Sequence, residues 1–195
     1  MVKKKKNHID WVFGVTAVLI CFVLYFPLTF DVDNDDSTNS SSDEFWEAQI
    51  IDFRGQNQTV KFHYMPADVE DVTIPANFSS AFERVVSNEA DVGIGIGDNA
   101  MDKAQAGLAG VEIAKVSGRL LGLNTSSGTL ENDTGFRHFS CEIASQDLFV
   151  FELRNANVTE LVSYDNCLSI RYAEGESVEL LRQATAVVFS LLDLR

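Results

Sequence analysis

The chain has 195 residues, of which 29 are acidic and 15 are basic, so that its formal net charge at pH 7 is −14. Residues 31–195 alone hold 28 acidic and 11 basic residues, a net charge of −17. The negative electrostatic field of this charge argues against binding to nucleic acid or to an anionic lipid surface, because both are negatively charged and would be repelled. The same 165 residues are enough for one domain with a proper hydrophobic core.

The first predicted element is a membrane-spanning helix over residues 9–30. Its apolar core, Trp11–Phe30, reads WVFGVTAVLICFVLYFPLTF and contains no charged side chain. An α-helix of this length, rising about 1.5 Å per residue, just spans a hydrocarbon core about 30 Å thick. The run is longer than the apolar region of a cleaved secretory signal and ends in bulky residues, so it favours an uncleaved signal anchor over a cleaved leader.

The charges on either side of this helix predict its orientation. Lys3–Lys6 lie in a basic tail, residues 1–8, which the positive-inside rule keeps in the cytoplasm. The protein is therefore predicted to cross the plasma membrane once, through residues 9–30, with its C-terminal bulk outside the cytoplasm. Residues 31–44, DVDNDDSTNSSSDE, predict an acidic disordered spacer ahead of an extracytoplasmic domain over residues 45–195.

Six Asn-x-Ser/Thr sequons follow the membrane segment and predict a glycoprotein. They are Asn39, Asn57, Asn77, Asn124, Asn132 and Asn157. The alternative is that a short motif recurs by chance in a chain rich in serine and threonine. Glycosylation of this kind favours a eukaryotic or archaeal source over most bacteria.

The first half of the domain is predicted to hold three strands and two helices. The strands are Ala48–Phe53, Thr59–Met65 and Ala90–Gly97. The helices run from Ser80 to about Ser87 and from Ala100 to about Leu121. A capping-box spacing between Ser80 and Glu83 indicates the start of the first helix, and Gly122 indicates the end of the second.

The second half is predicted to begin with a polar loop and to end with a largely buried helix. The loop is Leu123–Gly135 and the helix is Ser177–Leu192. Between them, four short strands are predicted: Phe136–Glu142, Leu148–Leu153, Val158–Val162 and Cys167–Tyr172.

Two strand-to-helix units, VGIGIGDNAMDKAQ and LSIRYAEGESVELLRQ, have similar lengths and an acidic turn between strand and helix. We expect them to lie as neighbouring parallel strands with both helices on one face. The predicted fold class is α/β or α+β. An N-terminal transmembrane helix is followed by one extracytoplasmic domain, which has a mixed β-sheet and helices mainly on one face.

Cys141 and Cys167 are the only cysteines outside the membrane helix, which holds Cys21. Because the predicted compartment permits thiol oxidation, they are predicted to form a disulfide. The alternative is a pair of buried free thiols. No CxxC pair and no cluster of cysteine and histidine indicates a zinc or redox site.

Gly93, Gly95 and Gly97, followed by Asp98, have some features of a dinucleotide-binding loop. However, their spacing is GxGxG instead of GxGxxG, and the glycines lie within the strand. Asp98 at the start of a helix would also repel a phosphate. The alternate glycines are better explained by close packing of a helix on one sheet face, and no cofactor is predicted.

Acidic side chains follow both strand-to-helix units: Asp98 after the first, and Glu174 and Glu176 after the second. If the strands are neighbours, these carboxylates lie together at the carboxyl ends of parallel strands, where sites form in α/β proteins. Such a group is a candidate Ca²⁺ or Mg²⁺ site or an acid–base pair. The alternative, which the sequence favours, is that each carboxylate stabilises a helix N-terminus.

Three segments of the domain look like the corresponding parts of uncharacterised archaeal single-pass membrane proteins. They are KFHYMPADVEDVTIP, GIGIGDNAMDKAQAGLAGVEIAKVSGRLLG and CEIASQDLFVFELRNANVTELVSYDNCLSIRYAEGESVELLRQA. Those proteins share a paired-cysteine, strand-rich ectodomain with a C-terminal helix, and the resemblance covers most of residues 45–195. It implies an archaeal source and supports the bridge between Cys141 and Cys167, and it implies no activity.

These features favour a membrane-anchored binding or assembly module of the cell envelope, with another envelope protein as its partner. Because no nucleophile elbow, HExxH or Walker pattern occurs, the sequence favours a non-enzymatic function. Two alternatives stay open. One is binding of a small ligand or a divalent cation, and the other is hydrolysis of an envelope polymer by paired carboxylates.

Overall fold

The computed structural model describes residues 45–97, 103–132 and 135–192. The predicted cytoplasmic tail, membrane helix and spacer, residues 1–44, lie outside these ranges, and so does the sequon at Asn39. Within the three ranges, no helix has both the length and the apolar character needed to cross a membrane.

An antiparallel hairpin opens the described part of the chain. Strand β1 (Trp46–Ile51) pairs with β2 (Asn57–Phe62), so that Trp46 lies opposite Phe62. Each strand begins two residues before its predicted start. The turn between them is organised by Asp52, whose Oδ1 accepts the backbone N–H groups of Arg54 and Gln56, each at 2.9 Å.

Asp52 should make the hairpin sensitive to acid. The backbone N–H of Gln56, helped by that of Arg54 and by the side chain of Gln58, holds the pKa of Asp52 below its ordinary value of 3.8. A carboxyl group with a depressed folded-state pKa stabilises the fold above its unfolded-state pKa, and this contribution is lost as the pH falls through the folded-state pKa. Asp52→Asn should therefore unfold at a lower urea concentration than the wild type at about pH 7, with the gap closing below about pH 4. Urea titrations across this pH range check the prediction, and a gap that stays constant at about pH 2.5 would contradict it.

Five strands form a mixed sheet. The sequence predicts the mixed sheet, but not this set of strands. They are β3 (Asp91–Ile96), β4 (Thr125–Thr129), β5 (Leu148–Ala156), β6 (Glu160–Tyr164) and β7 (Cys167–Ala173). Their order across the sheet is β4-β3-β5-β7-β6. All neighbours are parallel except β6, which runs antiparallel to β7. The nearly continuous apolar run at the start of β5, LFVF, is typical of a central strand in a parallel sheet.

Three α-helices in the described ranges pack on one face of this sheet. They are α1 (Ala76–Ser87), α2 (Lys103–Ala114) and α3 (Ser177–Leu192), and α2 continues as a π-helix, Lys115–Leu120. Their apolar sides share one core with Ile94, Phe151 and Ile170 of the sheet. Helix α3 has its predicted bounds, whereas α1 begins four residues before the predicted start at Ser80. Pro75 directly precedes α1 as its N-cap residue, a position where the missing backbone N–H of proline removes no bond within the helix.

The segment between α2 and β5 differs from both of its predictions. Residues 123–135, expected to be a polar loop, contain the edge strand β4. Residues 136–142, expected to be a strand, instead cross the sheet as part of an irregular segment with a short 3₁₀ turn at Cys141–Ile143. We call residues 136–144 the strap. Strand β4 has the sequence TSSGT, which carries no apolar alternation, and it forms because its backbone completes the edge of β3.

The two strand-to-helix units are not neighbours, which corrects the expected topology. Strand β5 lies between β3 and β7, so two strand spacings, about 10 Å, separate them. The alternate glycines of β3 also face the strap and not a helix. A Cβ atom on Gly95 would lie 1.8 Å from the carbonyl oxygen of Phe139, and one on Gly93 would lie 2.4 Å from the Phe139 ring. These glycines allow the strap to lie directly on the sheet.

A disulfide fastens the strap to the sheet, as predicted. It joins Cys141 of the strap to Cys167 at the start of β7, with their Cα atoms 5.4 Å apart. Around it, Phe139 and Val150 form a small second core with the buried Cys167. The alternative of two free thiols is therefore wrong.

Removing this disulfide should lower the free energy of unfolding by about 3.5 kcal/mol, because the bridge restricts the unfolded chain. The estimate follows from the sequence separation of 26 residues between the two cysteines. The measurement is urea unfolding of the full chain and of the Cys141→Ala/Cys167→Ala variant, each with and without reductant. Reductant should destabilise the wild type and leave the variant unchanged. Equal stabilities of the oxidised wild type and the variant would contradict the prediction.

Candidate functional site

The face of the sheet opposite the helices is unusually polar. Side chains alternate between the two faces of a strand, and the register places Glu152 of β5 between Gly95 of β3 and Ser169 of β7. The next residues along the same face are Arg154 and Arg171, which pair with each other across β5 and β7. This face therefore carries charged and hydroxyl groups at positions where the opposite face carries the apolar core.

A cavity of about 490 Å³ opens on this polar face at the carboxyl ends of the parallel strands. We call it the sheet-face cavity. The sheet contributes one wall and the strap contributes another. The lining residues are Gly97, Leu130, Glu131, His138, Ser140, Cys141, Glu142, Glu152, Arg154, Asn155, Tyr164 and Arg171.

Glu152 is the most deeply buried charged residue of the sheet-face cavity, with only 5% of its surface exposed. Its Oε2 accepts a hydrogen bond of 2.8 Å from the hydroxyl of Ser169 and lies 3.6 Å from Nη1 of Arg154. The disulfide sulfur of Cys141 lies 3.7 Å from the same oxygen, and because it carries no proton this is a contact and not a hydrogen bond. Among the described residues, none donates a hydrogen bond to Oε1.

The two arginines of the cavity have different environments. Arg171 donates from Nη1 to Glu160 at 2.9 Å, from Nη2 to the Tyr164 hydroxyl at 2.8 Å and from Nε to Ser169 at 3.3 Å. The bonds to Glu160 and Tyr164 connect β7 to β6. The Arg171 guanidinium therefore has a structural role in the wall of the cavity. Among the described residues, Arg154 makes only the long contact with Glu152, and half of its side chain is exposed. No described residue therefore prevents a ligand from reaching its guanidinium.

The strap supplies a histidine and a serine to the other wall. The Ser140 hydroxyl and Nε2 of His138 lie 3.0 Å apart and form a hydrogen bond. Nδ1 of His138 is buried, and no described residue bonds to it. A serine–histidine–carboxylate triad needs a carboxylate at this nitrogen, and the part of the chain that the structure describes supplies none there.

Glu174 and Glu176, two of the three acidic residues singled out from the sequence, do not line the sheet-face cavity. Asp98 lies outside the described residues. Glu176 immediately precedes α3 and accepts a hydrogen bond from the hydroxyl of Thr159, and Glu174 is exposed. Within the described part of the chain, no group of three or more histidine, cysteine, aspartate or glutamate side chains is arranged to hold a metal ion. A cation site that includes Asp98 stays a prediction.

Sequence reasoning missed the residues that build the cavity, although one signal was present. Glu152 and Arg154 interrupt an apolar strand at a spacing of two, and Ser169 and Arg171 do the same in β7. That pattern indicates a polar stripe on one face of two strands. Only the pairing of β5 with β7 shows that the two stripes are adjacent.

The sequons within the described ranges are all on the surface. Their asparagines are Asn57, Asn77, Asn124, Asn132 and Asn157, and each is exposed. This position is the one that glycosylation requires, and glycosylation itself stays a prediction.

Comparison of the chain with models of protein families, with curated proteins and with solved structures gives no match. The resemblance to archaeal membrane proteins accordingly stays a prediction. The function therefore has to be argued from the chemistry of the cavity.

Proposed function

We propose that the domain is a binding module for a small polar molecule, which occupies the sheet-face cavity. The observation that carries the proposal is Glu152, a carboxylate with 5% exposure at the bottom of a cavity, which has one hydroxyl donor and a distant guanidinium as partners. The proposal takes up the small-ligand alternative of the sequence analysis and places it at different residues.

The polar face is hard to explain by stability alone. Burying a carboxylate costs several kcal/mol, on the order of 5, and a buried ion pair seldom stabilises a fold more than apolar residues of the same size do. The residue before Glu152 on the same face is Val150, which is fully buried in the second core. An apolar side chain at position 152 would extend that core. Residues that break a local folding rule in this way mark functional sites.

The lining of the cavity points to a hydroxyl-rich ligand such as a saccharide unit. A volume of about 490 Å³ falls within the range of small-molecule sites. Oε1 of Glu152 accepts from ligand hydroxyls, and the Arg154 guanidinium donates to ligand oxygens. Tyr164, with 45% of its surface exposed, offers an amphipathic ring at the wall. An apolar ligand would leave these groups without partners.

Glu152→Gln should weaken binding of a saccharide at least tenfold, about 1.4 kcal/mol, because a strong acceptor for hydroxyl donors is replaced by a neutral amide. The measurement is titration calorimetry of the full-length chain with a panel of neutral and acidic monosaccharides. Glu47→Gln is the matched control, since Glu47 is an exposed carboxylate on β1 that pairs with Lys61. The control should bind as the wild type does. Absence of binding by every member of the panel, or equal affinities for Glu152→Gln and the control, would contradict the proposal.

The location of the module is part of the same proposal. The apolar run Trp11–Phe30, within the predicted membrane helix at residues 9–30, and the lysines before it support a single-pass plasma-membrane protein with its C-terminal domain outside the cytoplasm. A partner protein in the envelope also stays a proposal. A pull-down from gently solubilised membranes that recovers no partner would count against the partner, and extraction of the full chain without detergent would count against the anchor.

A further inference from the structure

A second cavity, of about 410 Å³, lies at the carboxyl ends of β3 and β4. We call it the β4 cleft. Its lining includes Ile96 and Gly97 at the end of β3, Ser127 and Thr129 of β4, and Phe136 at the start of the strap. Of these residues, only Gly97 also lines the sheet-face cavity, so the proposed function leaves the others without a role.

The β4 cleft adjoins the sheet-face cavity at three places along the chain. Gly97 lines both of them. Thr129 lines the cleft, and the next residue, Leu130, lines the sheet-face cavity, with Cα atoms that a peptide bond holds about 3.8 Å apart. Phe136 lines the cleft, and His138, two residues further along the strap, lines the sheet-face cavity. The two sites are therefore within reach of one ligand that is longer than a single sugar ring.

The β4 cleft presents an aromatic ring beside hydroxyl groups. Phe136 has 75% of its surface exposed, more than any other large apolar side chain in the described ranges. A single exposed apolar residue is ordinary on a protein surface, but this one lines a cavity. Ser127 is exposed, and the Thr129 hydroxyl donates to the carbonyl oxygen of Glu131 at 2.9 Å, which leaves its oxygen able to accept. A sugar ring matches this lining, because it has an apolar C–H face and hydroxyl groups at its edge.

We propose that the ligand is an oligosaccharide, with one unit at Glu152 in the sheet-face cavity and the adjoining unit stacked on Phe136 in the β4 cleft. The inference rests on the proposed function and extends it, because the cleft adjoins the same site. Covering the Phe136 ring removes apolar surface from water, which favours the longer ligand. The first unit bonds to charged groups and the second contacts the ring, so different residues determine the affinity for each unit.

The test is titration calorimetry of the full-length chain with glucose, N-acetylglucosamine and glucuronic acid, each as the monomer and as the β-1,4-linked dimer. For at least one of the three sugars, the dimer should bind at least tenfold more tightly than the monomer. Phe136→Ala should remove this difference by weakening dimer binding at least tenfold, and it should leave monomer binding unchanged. Phe136→Tyr keeps an aromatic ring and should bind the dimer as the wild type does. Because Phe136 is 75% exposed, neither substitution should prevent folding.

Phe53→Ala is the matched control, because Phe53 is also an exposed phenylalanine, at 55%, and lines neither cavity. It should bind monomer and dimer as the wild type does. The proposal is overturned if no dimer binds more tightly than its monomer, or if Phe136→Ala leaves dimer binding unchanged. Monomer binding that Glu152→Gln weakens would in that case still support the sheet-face cavity. Absence of all binding would contradict both proposals, so the two failures are distinguishable.

Discussion

Gly95→Ala should destabilise the domain by about 4 kcal/mol, one of the two largest effects that the structure predicts. A methyl group at this position would lie 1.8 Å from the Phe139 carbonyl oxygen and 2.7 Å from the Leu130 side chain. The first of these atoms belongs to the backbone of the strap and cannot turn away as a side chain does. The strap must therefore lift, and the loss of burial at Phe139 compares with removal of a buried phenylalanine.

The measurement is urea unfolding of the full chain, and Gly107→Ala is its matched control. Gly107 lies within helix α2, where an added Cβ meets nothing within 4 Å. Alanine there should raise stability by about 0.5–1 kcal/mol, because glycine disfavours a helix interior. A Gly95→Ala protein as stable as the wild type would show that the strap does not rest on β3.

His63→Leu should also cost about 4 kcal/mol, because it leaves the buried carboxylate of Glu112 without the side chain that faces it. Glu112 of α2 is completely buried. Its Oε1 lies 2.6 Å from Nδ1 of His63 and accepts the backbone N–H of the same residue at 3.0 Å. Its Oε2 accepts the hydroxyl of Thr185 of α3 at 2.5 Å. One carboxylate thus joins the end of the hairpin to two helices.

A double-mutant cycle separates the buried charge from the lost packing. In His63→Leu/Glu112→Leu the carboxylate is gone, and the Thr185 hydroxyl can donate instead to the Leu181 carbonyl oxygen, which lies 2.9 Å away. The backbone N–H of residue 63 loses its acceptor, which costs about 1–3 kcal/mol. The double variant should still be about 2 kcal/mol more stable than His63→Leu in urea unfolding. A double variant less stable than the single one would mean that the charge of Glu112 is not the source of the loss.

The elements that local pattern determines were predictable from the sequence. Helix α3 has apolar residues at helical spacing and follows a turn at Gly175, whose φ of 84° favours glycine, so both its start and its type follow from the chain itself. Strands β5 and β7 are apolar runs between polar turns. The prediction placed a loop at β4 and a strand at the strap. TSSGT has no apolar pattern and yet forms a strand, while FRHFSCE contains two phenylalanines and yet pairs with the sheet only through a bridge between His138 and Thr129.

The candidate site was not predictable for a related reason. The charge of Glu152 is visible in the sequence, but its surroundings depend on which strands lie beside β5 and on where the strap crosses. Gly95 indicates a close approach, and the approaching atom belongs to Phe139, which is 44 positions further along the chain. Pairings of that sequence separation are decided by the whole fold and not by a local pattern.

The disulfide of the strap gives the protein a dependence on cellular compartment. His138, Ser140 and Glu142 form one wall of the sheet-face cavity, and Cys141 is the covalent attachment of that wall to β7. In a reducing compartment the strap would be held only by Phe139 and a few backbone bonds, such as that from the Phe139 N–H to Thr129 at 2.9 Å. The bridge fixes the wall of the cavity directly, whereas the helices and the other strands contain no disulfide within the described residues. If the chain is exported as proposed, the proposed binding site would be completed only in an oxidising compartment.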